Sequence, residues 1–154
     1  MNAMPTTDEV TCVTQDVWRA FVGLEVGQLT PHPSATRADE TMERATVDIS
    51  GAWDGSVSVA CTSELAQFAA AQLFQVEADG VEQAMVEATL TELANQIGGN
   101  LKALLPAPTR LSLPRMASAS SQDNAPHSGP AGAERHWVFE QCGQRFDVAV
   151  APRG

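Results

Sequence analysis

The stretch from Val86 to Pro106, V-E-A-T-L-T-E-L-A-N-Q-I-G-G-N-L-K-A-L-L-P, constrains this chain more than any other. Val86, Leu90, Leu93, Ile97, Leu101 and Leu104 recur at steps of three and four, the stripe of an amphipathic helix that must bury one side. An advance of roughly 100° per residue gathers Ala88, Glu92, Asn95, Gly99 and Lys102 on the other side. That second face sets a carboxylate and a carboxamide one turn apart, with small residues above and below, so another surface can approach the pair closely. Inside a helix, Gly98 and Gly99 should each cost about 1 kcal/mol relative to alanine. Close approach or flexibility would compensate, and close approach is the commoner reason.

The rest of the composition bounds the class of protein. A chain of 154 residues, 44% hydrophobic and 18% charged, fits one soluble globular domain with a sizeable core. Nine basic against nineteen acidic residues give a net charge of −10. That balance excludes nucleic acid and anionic membrane as partners, because phosphate contacts need clustered Lys and Arg. No Lys or Arg lies between Arg44 and Lys102, whereas Asp48, Asp54, Glu64, Glu77, Asp79, Glu82, Glu87 and Glu92 do. Such a one-signed surface either steers a partner with exposed basic groups or serves solubility alone. Cys12, Cys61 and Cys142 are odd in number and widely spaced, which reads as reduced thiols rather than a disulfide framework or zinc site. The N-terminus lacks a basic region followed by an apolar run, and the apolar region Leu65 to Phe74 is too short to span a bilayer. A cytoplasmic protein is expected.

Taken in order, residues 1–7 are polar and expected to be disordered, and one domain fills 8–152. Val10, Val13, Val17, Trp18 and Phe21 predict a helix from Asp8 to Val22, stopped by Gly23. A short strand is expected from Glu25 to Thr30. Strands at Arg44–Ile49 and Ser56–Cys61 should flank a turn at Ser50–Gly55. Ser63 is the expected N-cap of a helix Glu64–Phe74. Glu77–Gly80 reads as a connector, after which the Val86 helix should run until Pro106. Thr109–Ala117 should be one strand, and Ser118–Gly132 a mobile loop (118–132) rich in Ser, Pro, Gly and Asn. Arg135–Gln141 and Gln144–Val150 predict a hairpin about Cys142-Gly143, with Trp137 and Phe139 on one face and His136, Val138 and Glu140 on the other. These elements make an α+β domain, a largely antiparallel β-sheet flanked by about three helices.

Glu92-Leu93-Ala94-Asn95, followed by Gln96-Ile97-Gly98-Gly99-Asn100-Leu101-Lys102, resembles the signature helix of the CheX family of chemotaxis phosphatases, relatives of CheC. Three further segments are similar to that family in the same order. They are Phe21-Val22-Gly23-Leu24-Glu25-Val26, Asp48-Ile49-Ser50-Gly51 with Gly55-Ser56-Val57-Ser58-Val59, and Leu111-Ser112-Leu113-Pro114. A lone Glu-x-x-Asn is nearly worthless, but four matches in order over residues 16–116 are specific. Relatives of the CheC type can carry a second Glu-x-x-Asn in the first helix. None occurs between Asp8 and Val22, which favours the single-site CheX type.

The resemblance implies dephosphorylation of a CheY-like response regulator that carries its phosphoryl group on an aspartate. An acyl phosphate is already activated, and phosphoryl transfer asks mainly for positioning and charge stabilisation. Asn95 would orient the attacking water, its carboxamide oxygen accepting a water proton while its nitrogen donates to phosphoryl oxygens. Glu92 would pair with a lysine of the partner and align Asn95, since a carboxylate is a poor neighbour for an anionic phosphoryl group without compensation. Ala88, Gly99 and Lys102 would contact the partner. The implied cofactor is none of the protein's own, with Mg²⁺ belonging to the partner receiver domain. The family also suggests a homodimer through paired sheets.

Two other readings stay open at this point. A non-catalytic module would use the same face to bind a receiver or a flagellar-switch component, and a structural dimer-forming protein would bind no receiver. Taken on spacing alone, Glu92 and Asn95 would as readily be a solvated helix face. Asn100, Lys102 and Thr91 lie outside the catalytic pair: Asn100 is placed to bond a neighbouring loop, and Lys102 to pair with a carboxylate. His32, His127 and His136 are scattered, there is no G-x-x-x-x-G-K-[ST] or G-x-S-x-G element, and no metal site is indicated. Trp18, Trp53 and Trp137 read as packing residues.

Overall fold

The computed structural model describes residues 4–23, 27–29, 42–116, 134–141 and 143–153. The expected loop at 118–132, His32, His127, Cys142 and residues 1–3 lie outside that set. Thr6 starts the first helix: its Oγ1 accepts the Glu9 N–H at 3.1 Å while the Glu9 carboxylate accepts the Thr6 N–H at 2.8 Å. This reciprocal cap satisfies two donors that a helix start leaves orphaned. Helix α1 therefore spans Thr7–Val17, beginning inside the segment expected to be disordered. The last predicted turn, Trp18–Val22, is a π-helical turn rather than an α-helical one and ends at Gly23 with φ +80°, the left-handed stop that the glycine predicts. Trp18 is buried there with its ring edge-on to Phe146, centroids 4.9 Å apart.

Strand β1 (Gly27–Leu29) is followed by β2 (Met42–Gly51) and β3 (Gly55–Thr62), both longer than their apolar alternation suggests. Helix α2 (Ser63–Phe74) takes Thr62 as its N-cap, not Ser63. Thr62 has extended backbone and its Oγ1 accepts the Leu65 N–H at 3.2 Å, while the Ser63 hydroxyl donates to Glu43. Thr62 Oγ1 also donates to Gln144 at 2.7 Å, so one hydroxyl joins the helix start to the far strand. Thr62→Ala should therefore cost about 1–2 kcal/mol in thermal or urea unfolding, and Ser63→Ala distinctly less.

A 3₁₀ turn (Ala78–Gly80) leads into α3 (Gln83–Lys102). The helix stops short of the expected Pro106 boundary. Beyond Ala103 the chain tightens, Leu104 N–H reaching Leu101 O and Leu105 N–H reaching Lys102 O. Leu105 (6% exposed) consequently takes the buried place expected of Leu104, which is 48% exposed.

The expected single strand 109–117 is two pieces, β4 (Thr109–Leu111) and β5 (Arg115–Met116), both paired with β2. Strands β6 (Arg135–Gln141) and β7 (Gln144–Pro152) complete the hairpin. The sheet is antiparallel throughout, in the order β1-β6-β7-β3-β2-β4, with β5 beside β2. Ala45, Val47, Ile49, Val57, Val59, Phe139, Phe146 and Val148 share the buried side with the apolar stripes of the three helices. Trp137 belongs to that core, and its indole donates to Thr7 Oγ1 at 3.2 Å, fastening the start of α1 to β6. No helix among the described residues is long and apolar enough to cross a membrane.

Candidate functional site on the outer face of α3

Helix α3 is held from several sides, packing against β2, β3, β4, β5, α1 and α2. Val86, Thr89, Leu90, Leu93, Ala94, Ile97, Gly98 and Leu101 form its buried side. A side chain at position 98 would not fit: an added Cβ would lie 2.5 Å from Val47 Cγ2. Gly98 is thus the place where the helix backbone comes down onto β2. Gly99 differs, because a Cβ there would meet only Leu111 Cδ2 at an ordinary 3.8 Å. The core does not need a glycine at 99, although a glycine there weakens the helix by about 1 kcal/mol.

The opposite side is open to solvent. Ala88 is exposed and Glu92, Asn95, Gly99 and Lys102 are partly exposed, so all five residues picked out by spacing do share an accessible face. Glu92 Oε1 accepts a hydrogen bond from Gln96 Nε2 at 3.0 Å, which orients one carboxylate oxygen and leaves the other without a hydrogen bond among the described residues. The Asn95 carboxamide makes no hydrogen bond among the described residues, so its donor and acceptor are both available. Asn100 donates to the Gln96 carbonyl at 2.9 Å, on its own helix rather than on a neighbouring loop. Lys102 forms no ion pair among the described residues, against the expected carboxylate partner. Thr91 returns its hydroxyl to Glu87 O and Ala88 O. Gln96 is the site residue that the sequence reading passed over. The signal was available, since a Gln four residues after a Glu lies above it on a helix.

Elsewhere the ionisable groups have structural settings. The Asp48 carboxylate is held between Arg115 at 2.6 Å and Arg153 at 2.8 Å, and Arg145 grips Asp147 at 2.6 Å. The hydrogen bond from His136 to Glu134 holds its imidazole above its ordinary value. Burial, with Glu43 and Asp147 nearby, pushes the Cys61 thiol far up, as suits an inert core residue. Cys12, by contrast, is an exposed free thiol. No group of three His, Cys, Asp or Glu side chains among the described residues is placed to hold a metal ion.

The fold, three helices on one side of an antiparallel sheet, is CheC/CheX-like. Solved structures share the whole architecture. The chemotaxis protein CheX from Vibrio vulnificus superposes with a TM-score of 0.76 at 16% identity, covering 99% of this chain and 100% of that one. A structure of the CheX–CheY–BeF3–Mg²⁺ complex from Borrelia burgdorferi gives 0.75 at 21% identity, with 99% and 100% coverage. A CheC-like superfamily protein from Shewanella sp. PV-4 gives 0.74 at 14%, with 96% of each chain covered. None of the curated proteins matches the sequence. The family model described as chemotaxis phosphatase CheX matches residues 44–133, more than half of the chain, and the protein belongs to that family.

Proposed function

We propose that this protein accelerates hydrolysis of the aspartyl-phosphate of a CheY-like response regulator, with Asn95 as the group that orients water. The observation that carries this reading is the placement of Asn95. In a chain of the CheX family, its carboxamide stands on a packed helix, open to solvent, with no hydrogen bond among the described residues. In the proposed step the Asn95 oxygen accepts a hydrogen bond from the attacking water while its nitrogen donates one to a phosphoryl oxygen. The water oxygen forms the new P–O bond, the bond to the aspartate oxygen breaks with its electron pair leaving on the aspartate carboxylate, and both water protons leave with inorganic phosphate as dihydrogen phosphate. Glu92, steadied on one oxygen by Gln96, offers the other to a lysine of the receiver and so sets the depth and register of Asn95. Ala88, Gly99 and Lys102 form the floor against which the receiver rests.

The relative from Borrelia burgdorferi, crystallised with CheY, BeF3 and Mg²⁺, supports the partner class. On this reading Mg²⁺ arrives with the receiver, the reaction takes place in the cytoplasm, and a homodimer is part of the same proposal. The test is turnover. A substoichiometric amount of the protein added to a phosphorylated CheY-like receiver from the same organism should release phosphate many times per molecule. A non-catalytic binding module would slow the decay or leave it unchanged.

A further inference from the structure

The edge of the sheet beside α3 carries a register fault with a consequence for docking. Three steps along β2, from Ile49 to Thr46, correspond to four along the edge, from Leu111 to Arg115. One extra residue is therefore inserted at Ser112–Pro114, a β-bulge that re-aims the side chain at its crest. The apolar residues that flank it, Leu111 and Met116, face inward. Leu111 pairs with buried Ile49 and reaches Gly98 and Gly99 of α3, and Met116 pairs with buried Ala45. Leu113, between them, is turned out to 88% exposure, the highest of the large apolar residues among the described ones.

The bulge is tied down. Ser112 N–H donates to Asp48 O at 2.8 Å, Asp48 N–H donates to Ser112 Oγ at 2.9 Å, and Ser112 Oγ donates to Leu113 O at 3.0 Å. The Asp48 carboxylate is itself held by Arg115 and Arg153. Pro114 limits the backbone further. An exposed leucine on a restrained backbone loses little freedom when a partner covers it. It also stands close to the site. Two residues of chain from Leu111 reach at most about 7 Å, and the Leu111 side chain lies 3.6–3.8 Å from where a Cβ at 98 or 99 of α3 would stand. The other exposed leucine of this region, Leu104, follows Lys102 at the same end of the helix. The α3 face is polar at Glu92 and Asn95, and a specific interface of standard size, about 800 Å² per partner, extends well past one turn of helix.

We infer that Leu113 is an apolar docking anchor for the same phosphorylated receiver that the α3 face engages, entering an apolar recess on the receiver. This rests on the proposed function and adds to it a contact that governs capture rather than chemistry. The division of labour is specific: Asn95 acts on kcat and Leu113 on KM.

The test compares Leu113→Ser and Leu113→Met with wild type in steady-state dephosphorylation. It is run with titration of the receiver loaded with beryllofluoride and Mg²⁺, and with thermal melts. Leu113→Ser should raise KM and the dissociation constant about tenfold or more, leave kcat within about twofold, and leave the melting temperature unchanged. Leu113→Met should stay near wild type, because it keeps the apolar volume. Wild-type KM and affinity in Leu113→Ser would overturn the docking role, while loss of turnover in Asn95→Ala would still uphold the function. If the wild-type protein neither binds the receiver nor dephosphorylates it, both proposals fall.

Discussion

Gly98→Val should leave little folded protein at physiological temperature, and Gly98→Ala should lower the melting temperature by several degrees. Even the first added carbon would stand 2.5 Å from Val47 Cγ2. Val47 is fully buried in β2, and its β-branched side chain is stiff at χ1, so it gives way only at a cost. Overpacking of this kind costs about 1–3 kcal/mol, against a gain of up to about 1 kcal/mol in helix propensity. With the full gain in propensity the net loss for alanine is up to about 2 kcal/mol, which corresponds to up to about 8 °C in a domain of this size. Valine adds two more methyl groups with nowhere to go. Gly99→Ala is the control. It meets only an ordinary contact with Leu111 and should gain stability through propensity. Paired thermal melts decide the matter. Equal melting temperatures for the two alanine variants would contradict the close approach of α3 to β2.

Asn95→Ala should abolish most of the acceleration of receiver dephosphorylation while leaving the receiver bound. Positioning of a reacting group accounts for about 100-fold in rate when a single contact is lost or displaced. A comparable loss is expected here, because the methyl group of alanine can neither accept from water nor donate to the phosphoryl group. Its effect on folding should be small, since Asn95 is partly exposed and has no hydrogen bond among the described residues to lose. Asn95→Asp is the sharper chemical probe. It preserves shape but brings a negative charge against the phosphoryl oxygens, so both turnover and binding should fall. Glu92→Ala should raise the half-saturating receiver concentration more than it lowers kcat, in keeping with a residue that pairs with the partner and positions Asn95.

Much of this site was readable because a helix imposes a single period. The stripe Val86, Leu90, Leu93, Ile97 and Leu101 determines which side is buried, and the remaining side, Ala88 to Lys102, follows by geometry. What the period does not carry is where it stops. Leu104 continues the spacing, yet the helix ends at Lys102 and Leu105 takes the buried place. Thr62 and Ser63 are neighbouring hydroxyl residues, and only the backbone angles of the finished junction choose Thr62 as the cap. Thr109–Ala117 is expected to be one strand. Pro114, which cannot donate to a sheet ladder, was the sign of a break, but the extra residue appears only in the pairing with β2. The order β1-β6-β7-β3-β2-β4 depends on contacts between distant segments and has no local signature at all.

The most direct test of the central claim is the single-turnover decay of a phosphorylated CheY-like receiver under saturating wild-type protein or saturating Asn95→Ala. Retention of the beryllofluoride-loaded receiver is measured for both. If Asn95 orients the attacking water, wild type decays the phosphoryl group about 100-fold faster than the variant, and both retain the receiver. Equal decay rates for the two saturated complexes would contradict a catalytic role for Asn95 and leave this face of α3 a binding surface alone.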